Sequence, residues 1–154
     1  MPSLELKIPP PLMAVVIAGA MYAAATLHAP AWALPPSVRV VVALALAGVG
    51  VVFDLAGMLS FRKAKTTINP LTPQRSSAVV THGVYRLTRN PMYLGLVLIL
   101  LGLAVYLASV WALLGPVAFG AFITRFQIQP EERALKARFG TAYTDYCARV
   151  RRWL

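Results

Sequence analysis

From residue 90 through residue 124 the chain carries no Asp, Glu, Lys or Arg. Roughly 20 apolar residues cross the hydrocarbon layer of a bilayer as a helix. This stretch is too long to be one such helix, even tilted. It predicts a helical hairpin, with spans over about 91–106 and 111–128, a turn near Leu107 to Val110, and a kink at Pro116. Two more uncharged stretches, between Lys7 and Arg39 and between Arg39 and Asp54, predict spans over about 11–27 and 38–61. The fold class is therefore all-α. The 154 residues form a single polytopic membrane domain, 1–154, with four transmembrane helices. Composition agrees: 13% of residues are charged and the mean hydropathy is +0.67, against about 25% charged in a soluble domain. Disorder is excluded, because it requires low hydrophobicity.

Local signals set the ends of these spans. Pro9, Pro10 and Pro11 suit a helix start. No small-x-small cleavage site follows the first run, so a retained span is expected rather than a signal peptide. The segment 28–37 holds three prolines that break a helix, and Trp32 suits the interface. In the second span Gly48, Gly50 and Gly57 allow close helix approach. Those small-residue faces suit either internal packing or a homo-oligomer. Asp54, inside the same span, is expected to pair with a basic residue or to support a site.

The net charge is +10. Its basic residues flank apolar runs, which points to a membrane surface as the partner and not to nucleic acid. With four spans, fourteen of the 15 basic residues lie on one side, and only Arg39 lies on the other. That side, with both termini, is expected to be cytoplasmic, and the membrane to be a bacterial inner membrane. Cys147 is the single cysteine, so no intrachain disulfide can form. His28 and His82 lie far apart in sequence, so no metal site is expected.

The polar features converge on that same side. The connection 62–90 contains Arg62, Lys63, Lys65, Arg75, Arg86 and Arg89 with Pro70 and Pro73, and is long for a mere connector. A C-terminal helix is expected over 131–149. Leu135, Phe139, Tyr143 and Tyr146 give it an apolar face, set either on the membrane surface or folded back onto the connection.

Three short features carry the candidate chemistry. Around His82-Gly83-Val84-Tyr85-Arg86, Gly83 allows a tight turn and Tyr85 suits stacking on a planar ligand; a surface turn with an anchoring aromatic reads equally well. In Arg89-Asn90-Pro91-Met92-Tyr93-Leu94-Gly95, Pro91 opens a helix whose free N–H groups suit an anionic group. Asn90 either caps those groups or turns away. In the third feature, Glu131 and Glu132 start a helix after Pro130, where carboxylates also suit the helix dipole. Arg125, a charge near the end of a span, serves either a ligand or the lipid headgroups. Cys147 has no activating partner placed by sequence.

Taken together, Gly83-Val84-Tyr85, Arg89-Asn90-Pro91-Met92-Tyr93-x-Gly95, Glu131-Glu132-x-x-Leu135 and Phe139-Gly140-x-x-Tyr143 resemble the isoprenylcysteine carboxyl methyltransferase and phospholipid N-methyltransferase superfamily of integral membrane enzymes. The likeness covers roughly Ser77 to Trp153. It implies S-adenosylmethionine as methyl donor, with S-adenosylhomocysteine as product, in a cytoplasmic pocket. By position, Ser77, Ala78, Val79, Val80, Tyr85, Asn90, Pro91, Met92 and Tyr93 would line that pocket, with Glu131 holding the cofactor from the other side. The family's Arg-His-Pro motif reads Arg89-Asn90-Pro91 here. A basic substrate-binding residue is expected shortly before the glutamate pair; Arg125 is the nearest candidate and Gln127 the aligned alternative.

The acceptor implied is lipophilic or membrane-embedded: a prenylcysteine-like carboxylate, a phospholipid amine, or a small thiol or phenol. A carboxylate favours Arg125 as clamp, whereas an amine needs a base, for which Glu131 or Glu132 is suited. Two other classes compete: a sterol-reductase-like enzyme using NADPH, for which the chain is short, and a lipid-binding or assembly protein without catalysis.

Overall fold

The computed structural model describes residues 4–27, 34–65 and 76–154. Of the expected turn at 28–37, residues 28–33 with His28 and Trp32 lie outside the described residues, as do Pro70, Pro73 and Arg75 of the connection, while residues 36 and 37 already belong to a helix. The described residues form helices α1 (Pro10–Leu27), α2 (Pro36–Lys63), α3 (Pro91–Leu107), α4 (Leu114–Ile123), α5 (Gln129–Phe139) and α6 (Thr141–Arg149). No strand is present among them.

α1, α2 and α3 each begin at proline, whose fixed φ suits the first turn and whose missing N–H is not needed there. α3 ends where Ala108 adopts φ 50° and its N–H bonds back to the carbonyl of Val105. A 3-10 turn, Trp111–Leu113, then leads into α4. This is the expected hairpin. α1, α2 and the helical run from Trp111 to Phe139 are long and apolar enough to cross a membrane, and α3 is a shorter apolar helix. Large apolar side chains such as Val15, Val16, Leu44, Val52 and Val117 face outward, as a bilayer environment requires.

α3 is the central helix. Its most extensive contact is with α2, and α1 and α4 pack on it as well. The α2–α3 seam is close because both helices present glycine to it. A Cβ built on Gly50 would lie 2.6 Å from the carbonyl oxygen of Gly95, and one on Gly102 would lie 2.8 Å from that of Ala43. The core around α3 and α4 includes Leu100, Ala104, Phe119, Ile123 and Ile128. Asp54 abuts Gly95 across the seam, and its Oδ1 is buried without a hydrogen-bond partner. The expected basic partner of Asp54 is not found among the described residues.

The structure differs from the sequence expectations in three places. Regular helix runs from Leu114 through Pro116, because this proline sits in the first turn, where it displaces no hydrogen bond. The departure from α geometry comes later, in a π-helical turn over Thr124–Ile128. Second, no helix starts at Glu131; α4, the π turn and α5 form one continuous run through Pro130. Third, the single helix expected over 131–149 is two helices. Gly140, at φ 54°, breaks it in a conformation that favours glycine.

Candidate active site

That break at Gly140 folds α6 back onto the connection. The Tyr146 hydroxyl donates to the carbonyl of Tyr85 at 2.8 Å, in a buried bond. Gly83, at φ 62°, starts a 3-10 turn over Gly83–Arg86 that turns Tyr85 inward, edge-on to Phe61 at 5.4 Å. Between these elements and the helix ends lies a cavity of about 100 Å³.

Its floor carries the glutamate pair, and the two carboxylates are used differently. Glu131 Oε1 accepts from the Tyr93 hydroxyl at 2.6 Å and from Gln127 Nε2 at 2.7 Å. Tyr93 and Gln127 are themselves buried. Glu132 is a charge hub. Arg152 donates to both its oxygens, from Nε at 3.0 Å and Nη2 at 2.7 Å, and Arg89 Nη2 lies 3.2 Å from Oε1. The bond to Glu132 raises the pKa of Arg152. Burial pushes the hydroxyls of Tyr85, Tyr143 and Tyr146 well above the usual phenol range, so all three stay neutral.

The C-terminal tail closes one wall. Arg89 N–H donates to the carbonyl of Arg151 at 3.0 Å. The carbonyl of Arg152 accepts from the Thr88 hydroxyl at 3.1 Å and from Asn90 Nδ2 at 2.9 Å. Asn90 makes no side-chain cap on α3; its side chain is turned to the tail instead. Arg89 Nη1 also rests against the Cys147 sulfur.

Of the residues singled out in the sequence, Ala78, Val79, Val80, Tyr85, Asn90, Met92, Tyr93 and Glu131 line the cavity. Ser77 does not; its hydroxyl donates to the carbonyl of Lys65 at 3.3 Å. Pro91 is buried in the direction of Gly57 and does not line it either. Gln127 does not line the cavity; it donates to Glu131, which does. Arg125, expected to bind the acceptor, does not line this cavity; with Thr124, Gln129 and Trp153 it borders a second one. Its guanidinium is drawn 2.7 Å from Glu5, whose other oxygen lies 2.6 Å from Arg133. The Arg125 hydrogen bond holds the Glu5 carboxyl below the usual carboxylate range. The sequence reading did not assign Phe61, Ser76, Arg89, Ile128, Glu132, Leu135, Tyr143 and Tyr146 to the lining. For Tyr143 and Tyr146 the available signal was Gly140, which permits the fold-back. Among the described residues no group of three His, Cys, Asp or Glu is placed to hold a metal ion.

The fold and site together define a polytopic helical membrane protein with a paired-glutamate, aromatic-walled cavity at one end of its helices. The family model for phospholipid methyltransferase matches residues 38–142, and the chain belongs to that family. It is 31% identical over 105 residues to protein-S-isoprenylcysteine O-methyltransferase A of Arabidopsis thaliana, covering 66% of this chain and 52% of the relative. A probable protein-S-isoprenylcysteine O-methyltransferase of Oryza sativa subsp. indica is 30% identical over 112 residues, 71% of this chain and 57% of the relative. The chain thus spans about half the length of these curated relatives. An uncharacterised protein of Haemophilus influenzae is 46% identical over 63 residues, 41% of this chain and the whole of that protein. No solved structure matches.

Proposed function

We propose that this chain is an S-adenosylmethionine-dependent methyltransferase acting on a lipophilic, membrane-embedded acceptor, a prenylcysteine-like carboxylate in the first instance. The observation that carries the reading is the Glu131 carboxylate, fixed on one oxygen by Tyr93 and Gln127 inside a cavity walled by Tyr85 and Tyr143. Membership of a methyltransferase family and the names of the two plant relatives support it.

The lining suits the donor in kind. Glu131 offers a carboxylate to an ammonium, Tyr85 and Tyr143 offer aromatic surface to an adenine, and Val80, Met92 and Leu135 exclude water. At about 100 Å³ the cavity is smaller than the roughly 300–1,000 Å³ usual for a drug-sized ligand, so loading requires its walls to part. Bound there, the cofactor would supply an activated methyl group on a sulfonium. The protein's part is alignment and a dry pocket, from which such displacements gain most. With both donors on Oε1, Glu131 keeps Oε2 for a ligand. Glu132, neutralised by two arginines, sets the charge of the wall.

The description of the matching family favours a second acceptor class, a phospholipid amine. In that case Glu131 is the base best placed for the amine proton. The site is taken to open to the cytoplasm of a bacterial inner membrane, on the charge asymmetry of the chain. The test is calorimetric titration of the full chain in detergent with S-adenosylhomocysteine and, separately, NADPH. Saturable binding of S-adenosylhomocysteine alone is expected. Binding of NADPH alone would move the chain to the reductases, and binding of neither by folded protein would make it non-catalytic. Transfer of labelled methyl to a prenylcysteine analogue versus phosphatidylethanolamine then separates the two acceptors.

A further inference from the structure

The π turn beneath Glu131 follows from the sequence around it. Pro130 has no N–H, so the carbonyl of Phe126, four residues earlier, has no α-helical donor; the proline ring also crowds that carbonyl. The run answers by widening: the N–H of Gln129 bonds to the carbonyl of Thr124, five residues back. The exposed N-terminal segment then takes up what the turn releases. Leu6 N–H donates to the carbonyl of Phe126 at 3.0 Å. Glu5 lies 2.7 Å from Arg125, inside the turn, and 2.6 Å from Arg133, beyond Pro130. Its carboxylate therefore staples the run on both sides of the irregularity. Leu6 sits at φ 56°, which leucine rarely adopts, so its contacts and not its own preference hold it there.

The staple matters because of helical register. A π turn inserts one residue, and one residue of helix is about 100° of rotation and 1.5 Å of rise. Tyr93 and Gln127 both reach Glu131 in the register this turn creates. Closing the turn to α geometry would swing Glu131 by about that angle away from α3. We propose that Glu5 is a positioning residue for Glu131, acting through the π turn from outside the cavity. The proposal concerns the carboxylate's placement; only its consequence for ligand affinity rests on the cofactor reading above.

The test uses the full chain in detergent and the variants Glu5→Gln, Tyr93→Phe and their combination, each followed by thermal unfolding. Distant sites with no shared partner act additively. If Glu5 acts through the turn, Glu5→Gln shifts the melting temperature less in the Tyr93→Phe background than in the wild type. Amide exchange over residues 124–131 also rises several-fold in Glu5→Gln, while that over 93–105 stays unchanged. Equal shifts in both backgrounds, or unchanged exchange over 124–131, overturn the proposal. The affinity for S-adenosylhomocysteine, about tenfold weaker in Glu5→Gln, is the ligand arm. Wild-type affinity in that variant would overturn the proposal. A wild type that binds none of this ligand would instead refute the cofactor reading, with the unfolding and exchange arms still deciding the role of Glu5.

Discussion

Replacing Gly95 by alanine tests the claim that the α2–α3 seam sets the frame of the site. A Cβ at this position would lie 2.6 Å from the carbonyl oxygen of Gly50 and 2.8 Å from Cγ of Asp54, and it would also strike Oδ1 of that side chain. The carboxylate can swing aside. The Gly50 carbonyl cannot, because it belongs to the backbone of α2, so the two helices must separate locally. Overpacking of this kind costs about 1–3 kcal/mol, and an obstruction by backbone belongs at the upper end. Alanine recovers roughly 0.5–1 kcal/mol of helix stability over glycine, which leaves a net loss of about 2 kcal/mol. For a chain of this length that corresponds to roughly 4–8 °C in melting temperature. The assay is thermal unfolding in detergent followed by helical circular dichroism, with Gly48→Ala as the internal control. Nothing lies within 4 Å of a Cβ at Gly48, so that variant gains the helix term without the clash and melts at or above wild type. Equal melting temperatures for Gly95→Ala and Gly48→Ala would refute the close-seam argument.

Two further substitutions probe the glutamate pair. Tyr93→Phe removes the 2.6 Å bond to Glu131 and leaves Gln127 as its remaining donor; hydrogen bonds to charged groups are worth about 1.5–3 kcal/mol. A double-mutant cycle with Glu131→Gln should show coupling of that order, and none would mean that the bond contributes nothing. Glu132→Gln leaves the guanidinium groups of Arg89 and Arg152 facing each other without their carboxylate. The side chains of Arg89 and Glu132 are 13% and 19% exposed and that of Arg152 37%. The cost should therefore fall between the surface value of about 0–1 kcal/mol and the buried value of about 3–5 kcal/mol, near 2 kcal/mol. Unfolding midpoints at low and high salt check this. A loss below 0.5 kcal/mol, or one that grows with salt, would contradict the hub.

The spans were written in the sequence because each depends on local properties. Charge-free runs mark their interiors, and Pro10, Pro36 and Pro91 set helix starts that need no distant partner. The motif around Tyr85, Tyr93 and Glu131 was legible for a related reason: its residues cluster in short segments at either end of one hairpin. What the sequence alone could not settle depends on groups far apart in the chain. Arg125 reads as a ligand clamp or a headgroup anchor, and nothing local reveals that Glu5 lies beside it. Asn90 reads as a helix cap, yet its side chain is turned to the tail, with Nδ2 donating to the carbonyl of Arg152. Pro130 reads as a helix start, yet the helix runs through it because a π turn and the N–H of Leu6 take care of the Phe126 carbonyl. A charge or a hydrogen-bonding group has several local partners of similar worth. Tertiary structure decides among them, because only packing fixes which partner is within 3 Å once water is gone.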